Sequence, residues 1–228
     1  MPATAPVLIP PLRDGDQMTR EEFLRRWDAM PDLKWAELIN GVVHMPSPIS
    51  RIHWDFHFRL SSWLTYYVAA TPGCAAGVAG TWLMTSNSAP QPDLSLEILP
   101  EHGGQSRVEG AYLAGAPELA IEVSHTTSSH DSGEKLKLYE RCGVREYLIV
   151  RPKSQRLVWR ELVSGKYREI APEPDETLHS RVFPGLWLNP TALWQSDLDG
   201  LAAVVRRGLK SAEHVAFVRK LKRQALPT

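Results

Sequence analysis

Three carboxylates stand where a purely structural chain rarely places them. Glu122 interrupts the apolar run Leu119-Ala120-Ile121-Glu122-Val123, and an ionised carboxylate buried without a partner costs several kcal/mol. Asp93 follows Pro92 and opens the stretch Asp93–Ile98. Glu37 lies within Trp35-Ala36-Glu37-Leu38-Ile39. Taken singly, each has a plain reading: an outer-face ion pair for Glu37, a turn for Pro92-Asp93, a paired buried acid for Glu122. Gathered in one place, they are made tolerable most economically by a hard divalent cation, Mg or Mn, which takes oxygen ligands. Lys135 sits one turn into a helix that follows the Glu122 strand, and a lysine there can orient an attacking water or help it lose a proton. Its plain reading is a solvated helix lysine, or an i,i+4 partner of Asp131.

The elements that must position these groups are legible along the chain. Thr19-Arg20-Glu21-Glu22 is a capping box, and Phe23, Leu24 and Trp27 give the helix it opens an apolar face as far as Pro31. Asn40-Gly41 is the preferred two-residue turn of a hairpin, placing Glu37 on its first strand. From Ser50 to about Ala70, Trp54, Phe58, Trp63 and Tyr67 recur at helical spacing. Short strands are expected at 74–79, 81–86 and 93–98, then a loop over 101–116. The run 119–123 reads as a central strand covered on both faces. A polar loop at 124–130 leads to a helix over 131–142, stopped by Gly143. Further strands are expected at 146–151, 156–163, 166–170 and 177–182.

The 228 residues carry 26 Lys+Arg against 26 Asp+Glu, so the chain is not a generally basic nucleic-acid binder. From Trp194 onward there are seven Lys/Arg and three Asp/Glu, so the neutrality sums an acidic body and a basic tail. Residues 1–18, with four prolines, read as a flexible N-terminal arm, 19–192 as the main domain, and 193–228 as a basic helical C-terminal extension. Arg219, Lys220, Lys222 and Arg223 form its densest cluster, read either as a solvated face or as a nucleic-acid contact. Two cysteines, Cys74 and Cys142, make no disulfide framework, which fits a reducing cytoplasmic setting. No apolar run approaches the roughly 20 residues of a membrane span, and no secretory leader is expected.

Five segments occur in order: Trp35–Gly41, Pro92–Ser95, Pro117–Ser124, Asp131–Tyr139 and Gly143–Tyr147, ending in Gly-Leu-Trp-Leu at 185–188. Together they resemble the Uma family of restriction endonuclease-like proteins of the PD-(D/E)XK superfamily, over roughly residues 18–190. The resemblance implies a bacterial α/β protein with a restriction endonuclease-like core, a mixed central β-sheet flanked by helices. It implies that Glu37, Asp93, Glu122 and Lys135 are catalytic, with Asp93, Glu122 and the Val123 carbonyl as metal ligands. Ser124 stands where the wider superfamily keeps its lysine, and Lys135 matches a lysine that has migrated to the following helix. Ser124, Asp131, Tyr139 and His53 are implied as supporting residues. Two positions depart from the family pattern: Asn40 replaces a common Asp, and His125 a common Pro. The implied activity is metal-assisted hydrolysis of DNA phosphodiester bonds, and the fold's habits allow a homodimer.

Two rivals stand beside this reading. One is a nucleic-acid-binding or regulatory module that keeps the fold without turnover. The other is a zinc hydrolase built on His53 and His57, whose i,i+4 spacing suits zinc although the intervening Trp-Asp-Phe does not supply a His-Glu-x-x-His motif. Trp54, Trp63, Trp82, Trp159 and Trp187 are expected to be core and interface residues rather than base-stacking platforms.

Overall fold

A computed structural model describes residues 9–124 and 129–225, with residues 129–132 described in their backbone only. Thr19 caps α1 (Arg20–Asp28), its hydroxyl accepting from the Glu22 amide at 3.3 Å. The Glu22 carboxylate turns forward to Arg25 and Arg26. The hairpin β1 (Glu37–Ile39) and β2 (Val42–His44) turns through Asn40 and Gly41 at φ of 51° and 86°, as a primed two-residue turn requires. Residues 9–18 depart from the expected free arm. Leu12 is buried, Gln17 bridges Val42, and the Met18 amide donates to the Gly41 carbonyl at 2.8 Å, so this stretch runs along the hairpin.

Six strands form the central sheet, in the order β11 (Lys166–Glu169), β10 (Arg156–Val163), β9 (Glu146–Arg151), β8 (Leu119–Val123), β5 (Leu94–Ile98) and β3 (Cys74–Val78). β8 and β9 run parallel and the other neighbours antiparallel, so the sheet is mixed. A parallel pair needs a crossover, here α3 (Ser129–Cys142), which ends at Gly143 with φ 81°.

Strand alternation divides the sheet into two faces. Ala120, Tyr147 and Ile149 face α3, packing with Leu138 and Tyr139. Leu119, Ile121, Val123, Leu148 and Val150 face α2 (Arg51–Ala69), packing with Leu60, Trp63 and Leu64. Burying each such side chain contributes about 1.5–3 kcal/mol.

Beyond α2 lie α4 (Pro190–Trp194), α5 (Leu198–Leu209) and α6 (Ala212–Gln224). This segment, expected as an extension, is part of the main core: Leu193, Leu201, Val205 and Leu221 share the α2-side cluster. The buried Arg59 guanidinium donates to the Leu193 carbonyl at 2.6 Å and Trp63 Nε1 to the Trp187 carbonyl at 2.8 Å. At the Gly185–Gly208 crossing, a Cβ on Gly208 would lie 2.2 Å from the Gly185 carbonyl oxygen, so only glycine permits the approach.

Other expectations shift. The loop over 101–116 contains a hairpin, β6 (Arg107–Glu109) and β7 (Tyr112–Ala114), with β7 pairing β4 (Trp82–Leu83). The strand expected over 177–182 shortens to β12 (Leu178–His179), paired with β13 (Trp187–Leu188), because the following backbone instead donates to a buried carboxylate at Glu146. Trp63, Trp82 and Trp159 are fully buried, whereas Trp54 is 57% exposed. Phe58 is exposed with it, because the first turns of α2 direct Phe56 and Leu60 inward instead.

Candidate functional site

The site is assembled at one end of the central sheet. The antiparallel register Leu94↔Ile121 makes Asp93 and Glu122 the next opposed pair, at the start of β5 and near the end of β8. Asp93 is held from two sides: Val123 N–H donates to Oδ2 at 2.7 Å, and His53 Nε2 lies 3.0 Å from Oδ1. His57, one turn on in α2, places Nε2 3.0 Å from the Asp93 carbonyl oxygen, which also accepts from Ala79 N–H. The two histidines of the zinc reading therefore both serve Asp93. Among the described residues, no three of His, Cys, Asp and Glu gather to hold a metal.

Glu122 faces α3. Lys135 Nζ donates to its Oε1 at 2.9 Å, and the Tyr139 hydroxyl donates to the same oxygen at 2.9 Å. Lys135 also lies 2.9 Å from Glu37 Oε2, which in addition accepts from Gln91 N–H at 3.0 Å. The hairpin is set by the bridge Leu38↔Ala89 and by Arg141, which donates to the Asn40 side-chain oxygen at 2.8 Å. Glu37 and Glu122, far apart in sequence, thus share the ammonium of one buried lysine, a residue 8% exposed.

Burial pushes the Glu122 carboxyl above its usual range, and the nearby Asp93 and Glu37 push the same way against the pull of Lys135. Burial works against the Lys135 ammonium, but Glu122 and Glu37 outweigh it and hold it firmly charged. Burial likewise raises Asp93, yet its bonds to His53 and Val123 N–H win and hold it below the usual carboxylate range. His53 is raised by that same bond to Asp93. Burial pushes the Tyr139 hydroxyl up, so it remains a donor.

The structure therefore joins Glu37, Asp93, Glu122, Lys135, Tyr139 and His53. Val123 enters through its amide. The Ser124 amide donates to the Val150 carbonyl at 2.8 Å. His125 and the Asp131 side chain lie outside the described residues. Arg219, Lys220, Lys222 and Arg223 lie on α6, where the Leu221 carbonyl meets His102 Nδ1 at 2.9 Å, just beyond the end of β5 away from Asp93. The tail is not brought to this site. Sequence reasoning offered His57 only as a zinc ligand beside His53 and did not single out Gln91. The i,i+4 spacing of the two histidines did place both rings on one helix face. Nothing local marked Gln91.

Asp93 and Glu122 offer hard oxygen donors on neighbouring strand ends, which fits a magnesium-type ion bound through one or two carboxylates. Two other buried acids have no such role. Glu118 accepts from the Ile98 and Gln105 amides, and Glu146 from Trp159 Nε1, the Ser180 hydroxyl and the Arg181 and Val182 amides.

Over residues 20–191 the sequence matches the family model Uma2, described as "Putative restriction endonuclease". Among solved structures, it resembles a "putative nuclease belonging to DUF820" from Anabaena variabilis ATCC 29413, at 21% identity and a TM-score of 0.58, covering 79% of this chain and 99% of that one. At that identity the likeness speaks for the fold. No curated protein matches the sequence.

Proposed function

The chain belongs to the Uma2 family, and on that premise we propose that it is a metal-dependent nuclease hydrolysing phosphodiester bonds in DNA. The observation that carries this reading is the sharing of Lys135 between Glu37 and Glu122, at 2.9 Å each, beside the Asp93–Glu122 strand ends. Asp93, Glu122 and the Val123 carbonyl would hold Mg or Mn. When bound, such an ion supplies Lewis-acid stabilisation of charge developing on phosphate oxygens.

The chain's own groups do the rest. Val123 N–H and His53 fix the two Asp93 oxygens, so the carboxylate keeps its direction. Tyr139 fixes Glu122 in the same way. Lys135 presents a permanent positive charge to an attacking water or the transition state. Glu37 orients that ammonium and can accept a proton.

The test is nicking of supercoiled plasmid with Mg²⁺ or Mn²⁺. Cleavage by the wild type and its loss in Glu122→Ala support the reading. Equal behaviour of the two proteins sinks it and leaves a binding module of the same fold.

A further inference from the structure

A second charged feature stands on the same sheet edge, on the strands next to Glu122. The parallel register Glu122↔Ile149 and Val123↔Val150 places Arg151 just past the end of β8. By alternation it projects from the face that carries Glu122, about two residues, or roughly 7 Å, further along and one strand spacing across. In the antiparallel pair β9–β10, Arg151 is directly opposite Arg156. Side chains in that relation share a face with Cβ atoms about 4.5–5.5 Å apart, where like charges repel.

Among the described residues nothing relieves the repulsion. Among the described residues neither guanidinium makes an ion pair or side-chain hydrogen bond, and Arg151 Nε is buried with no partner. The turn between them, Pro152-Lys153-Ser154-Gln155, adds an exposed lysine and no acid. Pro152 is buried and anchors this turn, which therefore holds its charges in place. Across the end of the sheet the order is Asp93, Glu122, Arg151, Arg156: carboxylates on one half, guanidiniums on the other.

We propose that Arg151 and Arg156 form a phosphate clamp that holds a backbone phosphate of the nucleic-acid strand beside the phosphate engaged at Asp93 and Glu122. Guanidinium forks suit this ligand because they donate two parallel hydrogen bonds to phosphate oxygens. The clamp also supplies the local cationic surface that a chain with no net charge needs to attract a polyanion. The α6 basic cluster cannot serve this place, being beyond the opposite end of β5. The assignment of the ligand as nucleic acid rests on the nuclease reading; the anion site itself does not.

The experiment compares the full chain with Arg151→Gln/Arg156→Gln, and with Arg156→Gln alone, which alters only the exposed member. Binding of a short fluorescent DNA duplex is measured against salt concentration, and thermal unfolding with and without inorganic phosphate. Loss of the clamped phosphate should lower the slope of log affinity against log salt by about 1, with the single variant losing part of that change. Phosphate should raise the unfolding temperature of the wild type more than that of the double variant. Unchanged affinity and slope in a double variant that remains folded overturn the clamp. If the wild type itself neither binds nor cleaves DNA, the nuclease reading fails. The phosphate arm then decides alone: a wild-type-only shift keeps an anion site, and equal shifts remove it.

Discussion

Replacing Lys135 by Met removes the cation between two carboxylates while nearly preserving volume. At an effective dielectric of about 20, each contact of 2.9 Å carries a gross attraction of about 6 kcal/mol, most of it cancelled by the cost of drying the ions. What is left on breaking such a buried set is about 3–5 kcal/mol, because Glu37 and Glu122 keep their burial and lose their counter-ion. Glu122 can soften this by taking a proton, as burial already pushes its carboxyl up. The sign follows: without the pull of Lys135 the Glu122 carboxyl rises above its wild-type value of about 8. The Lys135→Met deficit should therefore be smaller at low pH and grow as pH rises through and beyond that value. Glu122→Gln in the same background takes away one stranded anion, so the double variant should be more stable at neutral pH than Lys135→Met alone. Urea unfolding of the four proteins across pH closes the cycle. Strictly additive losses, or a deficit independent of pH, would refute the picture of Lys135 as a buried counter-ion.

Other expectations test separate parts of the molecule. Burial moves the Glu146 carboxyl from 4.5 to about 7, so this group should contribute a loss of about 3 kcal/mol of stability between those pH values, and Glu146→Gln should remove that contribution from the pH dependence when unfolding is followed by denaturant titration. Asp93→Asn should abolish metal-stimulated plasmid nicking while leaving the unfolding free energy within about 1–3 kcal/mol of wild type; retained nicking would remove Asp93 from the site. Gly208→Ala should destabilise by about 1–3 kcal/mol, since its Cβ would meet the Gly185 carbonyl oxygen at 2.2 Å, and a neutral effect in thermal unfolding would show that the crossing can relax.

Much of the arrangement was readable because its causes are local. Asn40-Gly41 dictates a hairpin wherever it falls between apolar runs, and that turn carries Glu37 to its place. The apolar run 119–123 announced a strand buried on both faces, which the α2-side and α3-side clusters bear out. The helix after it placed Lys135 and Tyr139 one turn apart, and both reach the same Glu122 oxygen. The first turns of α2 were less legible. Trp54 and Phe58 have the right spacing for a core face, but helical spacing gives a stripe without saying which stripe the sheet will cover. The C-terminal segment misled through its charge, because its apolar residues meet partners on α2 that no neighbouring sequence reveals.

The sequence by itself determined most of the elements, their order and a small set of conspicuous acids. It did not single out two further sheltered acids, Glu118 and Glu146, or say how their roles differ from that of Glu122. Glu118, Glu122 and Glu146 all stand in or beside apolar strand segments and all are sheltered. Tertiary structure gives Glu118 two backbone amides, Glu146 a ring of neutral donors, and Glu122 a lysine shared with a second carboxylate. It also puts two arginines, without a side-chain partner among the described residues, on the strands beside Glu122 and sends the basic tail to the other end of the sheet. The reason is physical: a buried charge takes its character from whatever lies within about 3–4 Å of it. For Glu122 the hydrogen-bonding neighbours come from α3, and the charges of Asp93 and Glu37 act on it from beside β5 and from β1, segments whose meeting is fixed only by the packed sheet.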